Sequence, residues 1–303
     1  MTPKYTGIIP PMITPLCNYD ELDVEGLERL INRMIDGGVS ALFALGTTGE
    51  APSLSYRLRR ELIERTMEIV EGRVPVLVGI TDTSLIESAA LARFAADKGV
   101  DSVVTSAPYY FSSGQPELKD YLEHLLPELP VPLMLYNMPA LTKTSFHREV
   151  VEWALDQEKV IGLKDSSGDL VYFRKMQRLA AKSRPDWSLL VGPEELLGEV
   201  VLLGGHGGVN GGANLHPSLY VELFRAALDG DLPKVRDLSQ KVMAISEAIY
   251  TVGRHGSAII KGIKCSLSIL GICDDFMAAP FSRFHDTERR VIQNHLETLE
   301  ITA

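Results

Sequence analysis

Short apolar runs alternate with amphipathic stretches along most of the chain. Runs at residues 7–12, 41–45, 74–79, 102–105, 132–136, 160–164, 188–191 and 207–210 have the length and flanking turn residues of buried strands. Between them lie helical patterns at 24–34, 58–70, 85–96, 117–126, 145–154, 170–181, 194–203 and 218–228. In the first of these Leu27, Leu30, Ile31 and Met34 share one face. Repeated βα units imply a parallel sheet, because each crossover returns the chain to the same end. Eight units over roughly 230 residues predict a (β/α)8 TIM barrel, a fold typically about 250 residues long. An open doubly wound sheet is the alternative, but no Gly-x-Gly-x-x-Gly follows an early strand. After Gly230-Asp231 the strand signal stops, and 232–250, 259–270 and 287–299 read as helices. The expected division is a catalytic barrel over 1–230 and a helical region over 231–303. That tail of about 70 residues is small for an independent unit and is expected to pack on the barrel or on another subunit.

Composition narrows the class. The 303 residues are 45% hydrophobic and carry a net charge of −10, which argues against nucleic acid or an anionic membrane as partner. Cys17, Cys265 and Cys273 form no C-x-x-C pair, so neither a disulfide framework nor a cysteine zinc site is expected. His124, His147, His206 and His216 are isolated, and no metal site is predicted. The first residues lack a signal-peptide pattern and no apolar stretch approaches 18 residues, so a cytoplasmic location is expected.

Barrel enzymes place their chemistry at the C-terminal ends of the strands. There the run Val160-Ile161-Gly162-Leu163 ends in Lys164. Desolvation at such a position disfavours the ammonium, and a neutral amine attacks ketones, so Lys164 is a candidate Schiff-base nucleophile. The plain alternative is a lysine snorkelling to water. Gly46-Thr47-Thr48-Gly49-Glu50 could present free amides to an anion, or be a tight turn with threonine caps. Pro108-Tyr109-Tyr110 fits a subunit contact. Tyr136 could move a proton or be a core tyrosine. Glu194, Glu195 and Asn210 could bind substrate hydroxyls, and the two glutamates could instead favour a helix start. The glycine-rich stretch 204–214, with His206, Val209 and Asn210, lets backbone approach a ligand. An amine, a phenol and a Thr-Thr turn from three strand ends would converge on one pocket, which is what carbonyl chemistry through an imine needs. A barrel for phosphorylated sugars, with the glycine loop as cradle, is a rival, though the loop lacks a basic partner.

In these motifs, in this order, the chain resembles the dihydrodipicolinate synthase / N-acetylneuraminate lyase family of class I aldolases. The resemblance rests on Gly46-Thr47-Thr48-Gly49-Glu50, Pro108-Tyr109-Tyr110, Leu135-Tyr136-Asn137-Met138-Pro139, Gly162-Leu163-Lys164-Asp165 and the strand-eight loop. It implies that Lys164 forms the imine with pyruvate or another 2-keto acid and that Tyr136 relays protons with Thr47. Tyr110 is implied to reach the site of an adjoining subunit. Thr48 and the turn amides would hold the carboxylate, and Val209 would face the pyruvyl group. The resemblance further implies a homo-oligomer, tetramer or dimer, and no cofactor. The synthases carry an arginine where this chain has Leu141, and a leucine leaves an aldehyde carboxylate unpaired. Gly211 stands where the sialic acid lyases have a substrate-binding serine, and Gly192-Pro193-Glu194-Glu195 lacks their usual aspartate. The expected reaction is therefore Schiff-base cleavage, condensation or dehydration of a 2-keto-3-deoxy acid. Synthase, sialic acid lyase and a non-catalytic pyruvate sensor are the alternatives.

Overall fold

The computed structural model describes residues 2–302. Eight parallel strands make one curled sheet. They are β1 (Gly7–Ile8), β2 (Leu42–Ala44), β3 (Val76–Gly79), β4 (Ser102–Ser106), β5 (Leu133–Asn137), β6 (Val160–Asp165), β7 (Ser188–Val191) and β8 (Gly207–Gly208). Neighbours follow the order β1-β8-β7-β6-β5-β4-β3-β2. The two outermost strands also meet. Ser40 N–H donates to Ile8 O, Phe43 N–H to Pro10 O and Met12 N–H to Phe43 O, at 2.8, 3.0 and 2.9 Å. The regular part of β1 is shorter than the apolar run 7–12 because Pro10 and Pro11 have no N–H to give the ladder. Likewise β8 stops at Gly208, short of Asn210.

Each strand alternates its faces. Phe43, Leu77, Val104, Met134, Tyr136, Leu190 and Val209 form an inner apolar cluster, while Leu42, Ala44, Leu133 and Leu135 point out to the larger core under the helices. That outer layer is α1 (Val24–Asp36), α2 (Tyr56–Val70), α3 (Leu85–Asp97), α4 (Gln115–Leu125), α5 (Arg148–Leu155), α6 (Leu170–Ser183), α7 (Leu197–Leu202) and α8 (Pro217–Asp229). Helix α2 shows the local logic. Ser55 caps it by accepting from Leu58 N–H, and Leu58, Leu62, Ile63, Thr66 and Val70 bury one stripe. The expected helix over 194–203 is instead a one-turn 3-10 segment, Glu194–Leu196, followed by α7. The hairpin Leu16–Asn18 with Glu21–Leu22 and the one-turn helix Pro139–Thr142 carry no long periodic signal and were not expected.

The tail forms α9 (Leu232–Ile249), α10 (Ala258–Ile269) and α11 (Asp286–Thr298). Val242, Ile249, Ile263, Leu267 and Ile292 are buried in the same apolar core as the strands and their helices. No helix among the described residues is long and apolar enough to cross a membrane.

Candidate active site

Strand register builds the centre of the site. Tyr136 of β5 lies directly beside Lys164 of β6, and paired residues of parallel strands share a face, so both side chains enter the sheet interior. Lys164 Nζ sits 3.8 Å from the centroid of the Tyr136 ring and 5.0 Å from that of Phe43. The lysine is only 3% exposed. Among the described residues no carboxylate lies within ion-pair distance of it. Burial therefore pushes the ammonium below its ordinary range, with Tyr136 opposing. Burial alone would raise the Tyr136 phenol. The adjacent Lys164 charge and the hydroxyls of Thr47 and Ser166 outweigh it, so the phenol is held below its ordinary value. Tyr136 Oη lies 3.2 Å from Thr47 Oγ1.

The neighbouring residue, Asp165, faces the other way. Asn137 Nδ2 donates to it at 2.8 Å and Ser167 N–H at 3.1 Å, which ties the ends of β5 and β6 together.

The Thr-Thr turn closes the opposite side. Gly49 N–H donates to Gly46 O and Glu50 N–H to Thr47 O, at 3.1 and 3.0 Å. The amides of Thr47 and Thr48 donate to no carbonyl among the described residues. Leu45 before the turn and Glu50 within it both have left-handed backbone, at φ 58 and 56°. Gly79 makes this bend possible, since a Cβ there would lie 2.0 Å from Leu45 O.

A cavity of about 340 Å³ joins Thr47, Thr48, Tyr136, Lys164, Ser166 and Val209. Leu141, half-exposed on its one-turn helix, and Met138 line it too. So do Tyr250, Ile259 and Ile260 from the tail, which the strand-end reading missed. Phe43 was missed as well, although its position one residue before the Ala44-Leu45-Gly46 strand end and the period-2 rule point it inward. A second, largely apolar cavity of about 230 Å³ shares Thr47, Tyr136, Met138 and Leu141 with the first and also includes Tyr109.

Three of the expected site residues are placed differently. Asn210 does not line the cavity, because its Nδ2 donates to the carbonyls of Gly192 and Val191, at 3.0 and 3.4 Å, and holds the β7 and β8 ends together. Glu194 lines the cavity, but its carboxylate is occupied. Oε1 accepts from Tyr220 and Tyr250 hydroxyls at 2.6 and 2.7 Å, and Oε2 from Gly212 N–H at 2.9 Å. Burial pushes its carboxyl pKa up, towards the protonated form, against those three donors. Only glycine fits at 212, where a Cβ would meet Tyr220 Oη at 1.9 Å. Tyr110 is 76% exposed and lies outside the cavity of its own chain, stacked edge-on against Phe111 with φ 81°. Glu195 remains in the cavity wall and accepts from Ser246 Oγ at 2.5 Å. His206 accepts from Leu189 N–H at 2.9 Å, a structural role at the far end of the strands. No group of three or more metal-binding side chains occurs among the described residues.

Comparison with known proteins places the chain in a family. A solved dihydrodipicolinate synthase of Bacteroides thetaiotaomicron is 56% identical, superposes with a TM-score of 0.95 and is matched over 98% of this chain and 100% of its own. YagE of Escherichia coli K12, solved in complex with pyruvate, is 29% identical with a TM-score of 0.92, over 98% of this chain and 99% of its own. Among curated proteins, the probable 2-dehydro-3-deoxy-D-pentonate aldolase YjhH of E. coli K12 is 33% identical over 89% of this chain and 88% of its own length. The model of the dihydrodipicolinate synthetase family matches residues 4–299, so nearly every residue that shapes the lysine's surroundings lies within that match, and the chain belongs to this family.

Proposed function

We propose that the protein is a Schiff-base lyase, with its eight strands closed into a (β/α)8 barrel, that splits or forms a 2-keto-3-deoxy acid with pyruvate as one partner. The observation that carries this reading is a buried lysine amine with no counter-carboxylate, beside a phenol hydrogen-bonded to the turn that offers two free amides.

In cleavage, Lys164 Nζ adds to the ketone carbon, with the carboxylate of the acid on the Thr47 and Thr48 amides and the Thr48 hydroxyl. The carbinolamine loses water and becomes a protonated imine. Tyr136 takes the proton of the C4 hydroxyl, the C3–C4 bond breaks, and its electron pair flows to the imine nitrogen. An aldehyde leaves. The resulting enamine takes a proton at C3, and water releases pyruvate and the free lysine. Condensation is the reverse. Val209 faces the pyruvyl group, Glu195 accepts hydroxyls of the distal part, and Glu194 acts through the phenols it holds. The exposed Tyr110 completes the relay in a second copy of this chain, which makes the working form a dimer or a tetramer built from two dimers.

Leu141 supports a sugar-acid substrate. Among the described residues Lys164 is the only lysine or arginine lining the cavity, and Leu141 offers no donor to an aldehyde's carboxylate. The name of the 56% identical structure favours a second reading, condensation of pyruvate with aspartate semialdehyde.

Borohydride with pyruvate should leave a reduced adduct on Lys164, read by mass spectrometry, and none in Lys164→Ala. An adduct that survives this substitution overturns the reading. A panel of 2-keto-3-deoxy sugar acids, sialic acid, and pyruvate with aspartate semialdehyde then separates the substrates by pyruvate released or consumed.

A further inference from the structure

The molecule buries a second lysine that the mechanism does not use. Lys264 of α10 is 0% exposed, and its Nζ lies 2.5 Å from Glu50 Oε1 and donates to Phe276 O at 2.7 Å. Glu50 Oε1 is buried, and among the described residues that ammonium is its polar partner. Its Oε2 accepts from Ala278 N–H at 2.9 Å. Both partners therefore come from the tail. Glu50 is the last residue of the Thr-Thr turn, and its backbone is left-handed without being glycine. Such a conformation persists only where its surroundings over-determine it. On the inner side Thr14 Oγ1 donates to Gly49 O at 2.7 Å. On the outer side the hold is the carboxylate of Glu50. The same helix sends Ile259 and Ile260 into the catalytic cavity. The tail thus touches the site twice, once as wall and once through the turn.

We propose that Lys264 is a positioning residue, which through Glu50 and together with the Ala278 amide holds the 46–50 turn in the form that receives the carboxylate of the keto acid. The proposal rests on the Schiff-base reading for the identity of that ligand. An ammonium suits the task because Glu50 is shut away from water, and a buried carboxylate without a cation would relax the turn to reach solvent. Thr47 and Thr48 would move with it. Lys264 meets no reacting atom, so its removal acts on the binding of pyruvate more than on the chemistry at Lys164.

The test compares Lys264→Met with the double variant Glu50→Gln/Lys264→Met. Both should raise the KM for pyruvate roughly tenfold, within the usual range of coupling between sites, while kcat at saturating pyruvate falls much less. The double variant, which buries no unpaired charge, should regain folding stability without regaining KM. Loss of stability with KM unchanged in both would overturn the proposal and leave the pair purely structural. Should either variant fail to fold, hydrogen exchange on the wild-type chain decides. Pyruvate should slow exchange in 46–50 and, with it, in 276–278 and α10. Protection confined to the turn overturns the proposal. Borohydride trapping on the wild type separates the two levels. No adduct on Lys164 refutes the Schiff-base reading itself, whereas an adduct with an unmoved KM refutes only the role of Lys264.

Discussion

Among the described residues two lysines are buried, and they are buried for opposite reasons. Lys164 lies among aromatic rings with no carboxylate in reach among the described residues, while Lys264 lies against Glu50. Burial pushes both ammonium groups below their ordinary range. At Lys264 the Glu50 carboxylate pulls back, whereas at Lys164 only a phenol does. The partner, and not the depth, decides what a buried amine is for. In the proposed mechanism one is left free to lose its proton and attack a carbonyl. The other is paired with Glu50 and, in the proposal above, serves as a tie.

The comparison is broken most sharply by replacing each lysine with methionine, which keeps a similar length without charge. Lys164→Met should lose kcat by several orders of magnitude, because among the described residues no other amine lines the cavity. A steady-state assay of pyruvate release shows it, and comparable turnover in the variant would remove Lys164 from the mechanism. Next in size is Tyr136→Phe, which keeps the ring beside the amine and removes the hydroxyl bonded to Thr47. A lost proton relay should lower kcat by about 10²–10⁴, with imine trapping still possible over long incubation. A loss under about threefold would assign the proton transfer to another group.

Stability then separates the pair by sign. Lys264→Met leaves the Glu50 carboxylate buried and unpaired, and unfolding in urea should need about 3–5 kcal/mol less. Lys164→Met should do the reverse and stabilise by about 1 kcal/mol, since an active-site group held against its preference costs stability. Its pH dependence is set by the lowered pKa. Below that value both the folded and unfolded chains carry the ammonium, and the fold bears the full cost of desolvating it. Between that value and the ordinary 10.5 the unfolded chain holds a proton that the folded chain does not, so wild-type stability rises with pH. The advantage of the methionine variant is therefore largest on the acid side and fades towards 10.5. Methionine that destabilised at both positions would mean that Lys164 too has a hidden partner.

Much of the fold was legible in periodicity. The eight apolar runs became the eight strands, and the tail helices fell within a few residues of their expected ends. The ends that moved did so for local reasons. Prolines without an N–H shortened β1, and a 3-10 turn replaced the start of the helix after β7. At the site, Lys164, Tyr136, Thr47, Thr48 and Val209 came together because each is tied to a strand end. Asn210 and Glu194 illustrate the opposite case. Their residue types suit hydroxyl recognition, but carbonyls, phenols and an amide within the chain claim them first.

Lys264 had a trace in the sequence as well. It stands four residues after Ile260 and three before Leu267, on the apolar stripe of α10, where a charge is costly unless paired. Local pattern could flag that cost but not name Glu50, more than 200 residues away. By itself the sequence determined which segments are strands and helices, and which chemical groups stand at the strand ends, because those follow from alternation and period along neighbouring residues. Only the tertiary structure decided which groups remain free to act. That choice depends on which donors and acceptors from distant segments reach each side chain first, and packing alone brings them together.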